Sequence, residues 1–267
     1  MLHIFTLNWN GKEKLESLYN SLIKLNFKDP YIWHIKDNGS TDGSIEYIDN
    51  LKDNRINLIK YAHNNDNFAK GVNFLFDQSN AKGDDLILLL NNDVVFSGQN
   101  DLTKMISYFN DKNVGVVGCK LLYKNSNKIQ HAGVVFNEEL KMPIHFGLNQ
   151  IDSDNFKVDR EFQVVTGAVL LIKASTFSAA GKMDDAFHWA FDDVALCLNV
   201  KYKQNKKIVC VGDVTIYHEE SATLKKNPVN KLFMPQNVGN LLRKWSSFYY
   251  SDKKIYNSNL KHNIYKK

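Results

Sequence analysis

The sequence predicts an α/β fold built on a mostly parallel central sheet with helices on both faces and a mixed region beyond it. Two observations carry that prediction. Short apolar runs that read as strands alternate with stretches whose apolar residues recur at helical spacing. Strings of Asn, Asp, Gly and Ser follow the strands, at the carboxyl ends where open parallel sheets bind ligands.

Residues 2–7 form the first run; the string NWNG breaks it, and Leu15, Leu18, Tyr19, Leu22, Ile23 and Leu25 then mark one face of a helix. Residues 31–35 read as a strand and Ile45, Ile48 and Leu51 as the next helix face. The unit repeats with a strand over 56–61 and a face of Val72, Leu75 and Phe76. It repeats again with a buried strand over 86–90 and a face of Leu102, Met105, Ile106 and Phe109. After a strand over 114–119 the rhythm changes. Strand-like pieces at 133–136 and 164–172 flank a polar, irregular stretch over 149–160. Val194, Leu198 and Tyr202 give 190–202 helical spacing, and 208–211 and 214–217 read as two closing strands. No linker interrupts this, so we expect one two-lobed domain over 1–225, divided into 1–120 and 121–225, with an extension over 226–267.

The balance of 43% hydrophobic and 24% charged residues is that of a soluble globular chain, and no apolar run is long enough to cross a bilayer. The first residues lack a basic region and read as a strand rather than a secretory signal. Cys119, Cys197 and Cys210 lie far apart among apolar neighbours, with neither disulfide-framework nor metal-ligand spacing, so a reducing, cytoplasmic setting is expected. The net charge of +5 gathers after Leu224. There Arg243, Lys244, Trp245, Phe248, Tyr249, Tyr250, Lys253, Lys254 and Tyr256 read either as a solvated terminal helix or as a peripheral contact with an anionic membrane. No motif for binding nucleic acid accompanies the charge.

Three strings, KDNGSTDG (36–43), LLNNDVVF (89–96) and FDDVALC (191–197), place acidic or amide side chains where an element ends, and together they outline a sugar-nucleotide site. The loop after the first strand has neither the glycines of a dinucleotide fingerprint nor a P-loop. A diphosphate would then be held through a divalent metal on oxygen ligands.

The ordered strings TLNWNG, KDNGSTDGS, HNNDNFAKGVN, LLNNDVVF, IQHAGVVF, VTGAVLLIK, GKMDDAF, FDDVALC and YHEESAT resemble the inverting glycosyltransferase family 2, of GT-A fold, over residues 2–223. The resemblance implies sugar transfer with inversion from a UDP-, dTDP- or GDP-sugar to a glycan or lipid-linked acceptor, assisted by Mn2+ or Mg2+. It makes 1–120 the nucleotide-sugar half and 121–225 the acceptor half. It implies that Asp37 contacts the base, that Asn38, Ser40 and Asp42 shape the same loop, and that Lys70, Gly71 and Asn73 close over the donor. Asn91 and Asp93 match the metal motif, and His218 resembles the distal histidine that completes metal or diphosphate binding. Asp193 falls at the position of the catalytic base, with Asp192 in place of a glutamate; both also read as helix-capping carboxylates. Asn8, Asn92, Gly167 and Trp189 complete the substrate-binding set, although Asn92 also reads as a turn residue and Trp189 as a core residue.

The chain departs from the family pattern where Asn91 and Asn92 offer only neutral oxygens, at Lys182, and at Ala195 and Asn199. Two rival readings are a nucleotidyltransferase, whose glycine- and arginine-rich first loop is absent, and a carbohydrate-binding protein on a decayed transferase scaffold. Against the second stand Asp37, Asp93, Asp193 and His218 together. His131 reads as structural, and Trp9 and Trp33 as packing residues.

Overall fold

The computed structural model describes residues 1–60, 67–137, 139, 142–188, 190–219 and 229–253, with side chains omitted at 229–232. Strand β1 (Leu2–Asn8) pairs in parallel with β2 (Tyr31–Asp37) and with β4 (Leu86–Leu90), and β2 pairs in parallel with β3 (Ile56–Lys60). Helices α1 (Lys12–Leu22), α2 (Ser44–Leu51) and α3 (Phe68–Ser79) stand between these strands in sequence, as parallel connections require.

Beyond β4 the sheet becomes mixed. Strand β11 (Val169–Lys173) runs antiparallel to β4 and to β6 (Val114–Tyr123), and β6 runs parallel to β12 (Lys207–His218). With β10 (Arg160–Phe162) at the edge the order is β10-β12-β6-β11-β4-β1-β2-β3. Because β11 opposes both of its neighbours, β4 and β6 point the same way. The carboxyl ends of β1, β2, β4, β6 and β12 therefore lie along one edge of the sheet, and that edge carries the site.

The strand LILLL at β4 is apolar throughout because both of its faces are covered: Ile87 and Leu89 enter one core, and Leu88 and Leu90 the other. Helix α3 seals the first with Ala69, Val72 and Leu75, and α1 the second with Leu15, Leu18 and Leu22. Helices α4 (Asp101–Ser107), α5 (Ala174–Ala179) and α6 (Asp192–Leu198) pack outside the sheet, and α6 runs on into a π-helical turn over Asn199–Lys203.

Several sequence expectations change here. The two closing strands are one, β12, with a register shift between Val211 and Thr215. Gly212 sits in that shift; a Cβ there would stand 2.5 Å from the carbonyl oxygen of Val158, and its N–H donates to Asp159 Oδ1 at 3.1 Å. The strand expected over 164–172 begins only at Val169, while Val164 bridges to Val134. The three-residue strands β5 (Val94–Phe96), β7 (Ile129–His131) and β9 (Pro143–His145) are too short for periodicity to reveal; β9 pairs with β8 (Val134–Phe136) in a separate hairpin.

The described part of the C-terminal segment is not a separate extension. Helix α7 (Val229–Trp245) and the residues after it place Leu241, Trp245 and Tyr249 in the first core, and Asp252 accepts from Phe136 N at 2.7 Å. Of the basic aromatic cluster, Lys254 and Tyr256 lie outside the described residues. Among the described residues no helix is long and apolar enough to cross a membrane.

Candidate active site

The loop after β2 is built around Asp37. Its Oδ1 accepts from Gly39 N (3.0 Å) and Ser40 N (2.7 Å), and its Oδ2 from Ser40 Oγ (2.7 Å) and Asn8 Nδ2 (2.8 Å). All four lone-pair sites of the carboxylate are in use and the residue is 0% exposed, so as it stands Asp37 shapes the loop and offers no oxygen to a base. Asp42 likewise accepts from Lys12 N at 2.9 Å and Ser44 N at 3.1 Å. Burial pushes its carboxyl up, but the bond from the Ser44 hydroxyl and these backbone bonds outweigh burial and hold it below the usual range. Asn38 is buried, donates its N–H to Asn8 O at 2.8 Å and accepts from the ammonium of Lys36.

Asn8 links this loop to the end of β4, since Asn92 Nδ2 donates to Asn8 Oδ1 at 2.8 Å. Gly11 is required beside that bond, because a Cβ there would lie 2.4 Å from Asn92 Nδ2. Asn92 therefore acts as a strand-end tie.

One turn further, Asp93 Oδ1 lies 3.0 Å from His218 Nε2, at the end of β12, without a well-formed hydrogen bond. His218 Nδ1 donates to Gln130 Oε1 at 2.6 Å, and Asn91 Nδ2 lies 3.3 Å from Nε2. With Nδ1 turned to Gln130, Nε2 faces a buried carboxylate oxygen that has no well-formed hydrogen bond, a pair of atoms that can receive a cation shared by both. Two ligands at right angles on an ion, each about 2.1 Å away, stand about 3.0 Å apart, so this pair fits adjacent corners of an octahedral dication. Among the described residues no group of three or more His, Cys, Asp or Glu could complete a metal site. Such an ion would depend on phosphate oxygens for its other ligands, the usual habit of Mg2+. Burial pushes the Asp93 carboxyl up, but His218 and Lys14 outweigh it and hold it below the usual range.

The third string enters from the other side. Phe191 begins α6 with φ 71°, a left-handed conformation that costs a non-glycine residue on the order of 1 kcal/mol. Asp193 Oδ1 accepts from Val194 N at 2.8 Å and Oδ2 from Gly167 N at 2.7 Å. Each oxygen keeps one lone pair, and the residue is half-buried rather than sealed. Asp192 is buried: Oδ1 accepts from Asp193 N at 3.0 Å while Oδ2 has no hydrogen-bond partner. Burial, then the charge of Asp193, pushes the Asp192 carboxyl up to about 7.

The two sides meet at one backbone junction. Asn91 N donates to Ala168 O at 2.9 Å, and Ala168 follows the Gly167 that holds Asp193. His131 borders the junction: its Nε2 accepts from Gly133 N (3.3 Å) and Thr166 N (3.4 Å) and its Nδ1 lies 2.9 Å from His145 Nδ1. Burial first, then His145 and His218, keep His131 neutral by pushing its pKa well below the usual value, in keeping with a structural role.

Other expected site residues are employed elsewhere. Gly71 lets α3 approach β1, since a Cβ would stand 2.5 Å from Leu7 Cδ1. Asn73 exchanges two 2.9 Å bonds with the backbone of Met183, so it clamps a loop and is not free to close over a donor. Lys70 is exposed at the start of α3. Trp189 lies outside the described residues. Trp33 is buried, but Trp9 is 47% exposed beside Asn8 and is not a packing residue. Helix α7 positions the approach to α6, with Asn237 and Asn240 donating to the carbonyls of His188 (2.6 Å) and Ala186 (3.1 Å).

Sequence reasoning missed Lys14 and Gln130. Lys14 had a signal, a cation in the first turn of a helix, where the dipole disfavours it. Gln130 had none beyond its place before His131.

A family model described as glycosyl transferase family 2 matches residues 4–160. The chain is 29% identical over 150 residues to the O-antigen biosynthesis protein RfbC of Myxococcus xanthus, covering 54% of this chain and 12% of that protein. It is 28% identical over 239 residues to protein y4gI of Sinorhizobium fredii, covering 85% of this chain and 25% of that protein. It thus spans a quarter or less of the length of these curated relatives. Among solved structures it resembles the mannosyltransferase PcManGT of Pyrobaculum calidifontis in complex with GDP-Man and Mn2+ (TM-score 0.65, 12% identity, 98% of this chain and 70% of that one). It also resembles GalNAc-T7 with UDP, GalNAc and Mn2+ (TM-score 0.71, 11% identity, 99% and 54%). The structural neighbours are GT-A glycosyltransferases, and the chain shares their fold.

Proposed function

We propose, from the premise that this chain belongs to glycosyl transferase family 2, that it moves a sugar with inversion from a nucleoside-diphosphate donor to a hydroxyl of a saccharide or lipid-linked saccharide, in polysaccharide synthesis. The observation that carries the reading is the junction at which Asp93 and His218 approach Asp193 through the Asn91 to Ala168 bond. Donor and acceptor chemistry need that proximity. The loop shaped by Asp37 and Asn38 receives the base, and the acceptor hydroxyl approaches Asp193.

Asp193 takes the proton of that hydroxyl as its oxygen bonds to the anomeric carbon, and the bond from that carbon to the diphosphate breaks with its electrons on the leaving phosphate. Asp93 and His218, with Asn91 beside them, would hold a divalent ion, Mn2+ or Mg2+, which supplies charge neutralisation to the departing diphosphate. The test is thermal stabilisation by UDP-, GDP-, dTDP- and CMP-sugars, with and without Mn2+. One donor class should raise the melting temperature, and more so with Mn2+, since ligand at a hundred times its Kd stabilises by about 2.7 kcal/mol. No shift with any donor in either condition would overturn the reading.

A further inference from the structure

Among the described residues, Lys14 is the lysine that reaches Asp93 in this site. Its ammonium lies 3.4 Å from Asp93 Oδ2, opposite the oxygen that faces His218, and its own side chain is only 22% exposed. It stands in the first turn of α1 with Lys12, where a positive charge opposes the helix dipole and only Glu13 is acidic. A placement that weakens the helix and confines a flexible side chain asks for a return elsewhere. A second observation points the same way: Asp93 Oδ1 is buried and has no well-formed hydrogen bond, so the carboxylate is built to receive more than Lys14.

We propose that Lys14 is a diphosphate-binding residue held in waiting by Asp93: a bound diphosphate draws its ammonium away, and a divalent ion arriving with the nucleotide then takes its place on that carboxylate. The proposal rests on the donor reading given above. A dication and an ammonium cannot share one buried carboxylate without repulsion, because the low-dielectric surroundings screen them poorly. A diphosphate removes the conflict, since its oxygens take the ammonium and complete the shell of the ion. Lys14 needs only to swing about its stem, and an ammonium on a flexible chain suits a phosphate as a point charge. Two consequences follow from linkage: Lys14 weakens binding of the ion alone, and it strengthens binding of the nucleotide even without the ion.

The experiment compares the wild type with Lys14→Met, which keeps the length and removes the charge, and with Lys14→Arg, which keeps the charge. UDP and GDP affinities are measured by calorimetry in EDTA, and Mn2+ affinity by the electron paramagnetic resonance of the free ion, with and without nucleotide. Lys14→Met should bind the preferred nucleotide about tenfold more weakly in EDTA and bind Mn2+ alone about tenfold more tightly, both within the usual range of site coupling. Lys14→Arg should stay within about threefold of the wild type in EDTA. Unchanged nucleotide affinity in Lys14→Met, or unchanged affinity for Mn2+ alone, would overturn the proposal. If Mn2+ binds neither protein even with nucleotide, the exchange of Lys14 for an ion on Asp93 is wrong, while the EDTA comparison still decides whether Lys14 meets the diphosphate. If no nucleotide binds the wild type, the donor reading fails and the proposal falls with it.

Discussion

The loop after β2 and the corner where Asp93, His218 and the start of α6 converge are both rich in carboxylates, yet they use them in opposite ways. In the loop Asp37 is met by four donors and Asp42 by the N–H groups of Lys12 and Ser44. In the corner Asp93 Oδ1 and Asp192 Oδ2 are buried without a hydrogen-bond partner, as is Gln130 Nε2. A satisfied network makes a rigid platform, whereas buried polar atoms left over are costly unless something else completes them. The difference teaches that the donor side is assembled before any ligand arrives and that the transfer side is finished by its ligands. Removing a carboxylate should therefore cost stability on the first side and turnover on the second.

The largest effect is expected at Asp193. Asp193→Asn keeps an oxygen for Gly167 N and loses basicity, so transfer should fall by about 10²–10⁴-fold, the usual contribution of a positioned base. Nucleotide affinity should hardly move, and the melting temperature should fall only by what the lost bond from Val194 N costs at this half-buried residue, less than in Asp37→Asn. Rates measured with saturating donor check this, and wild-type turnover in Asp193→Asn would move the base elsewhere. A large loss of stability in the same variant would erase the contrast between the two sides, because Asp193 would then be another structural carboxylate.

Asp37 is the matching test on the donor side. Asp37→Asn brings an NH2 group into a site already furnished with donors, so at least one N–H loses its acceptor. The variant should be destabilised by about 1–3 kcal/mol, the cost of an unmet buried polar group, with nucleotide affinity lowered as the loop loosens. Urea denaturation reads the first effect and calorimetry the second. Normal stability with lost nucleotide binding would return Asp37 to the role of base contact that its sequence position first suggested.

That reversal shows where the sequence stops being informative. The apolar runs at β1, β2 and β4 and the helical spacing of α1 and α3 are local patterns, and each became the element expected. The strings KDNGSTDG and LLNNDVVF fall at the carboxyl ends of β2 and β4, because a strand's carboxyl end is a matter of direction along the chain. What Asp37 touches depends on Asn8, 29 positions away, and what Asp93 touches depends on Lys14 and His218. No spacing encodes such contacts. Strands of three residues such as β5 and β7 escape for a related reason, since they exist only because a longer neighbour offers an edge. Of the C-terminal aromatics, Trp245 and Tyr249 were misjudged, because such residues look the same in sequence whether they face solvent, lipid or the core that buries them here, whereas Phe248 and Tyr250 are exposed.

The smallest expected effect belongs to Asp192, and it carries a sign that the donor-side carboxylates do not share. Its carboxyl is pushed up to about 7 by burial and by Asp193, whereas in an unfolded chain it titrates near the ordinary value of about 3.9. Between roughly pH 4 and pH 7 the unfolded chain has therefore released a proton that the folded protein still holds, and stability falls as pH rises through that window, then levels off. Asn at this position cannot ionise and retains an oxygen for Asp193 N, so Asp192→Asn should gain on the wild type across the same window and reach a plateau advantage of about 1 kcal/mol above pH 7. Part of the linkage gain is lost because the new amide brings an N–H that finds no acceptor beside the orphaned oxygen site. Asp42, held below the usual range, behaves oppositely, and its contribution disappears only as pH falls through its lowered pKa. Urea denaturation of wild type and Asp192→Asn at intervals from pH 4 to pH 8 reads the difference directly. Curves that stay parallel would mean that Asp192 is ionised in the folded protein, and the transfer side would then hold two adjacent anions rather than an acid beside a base.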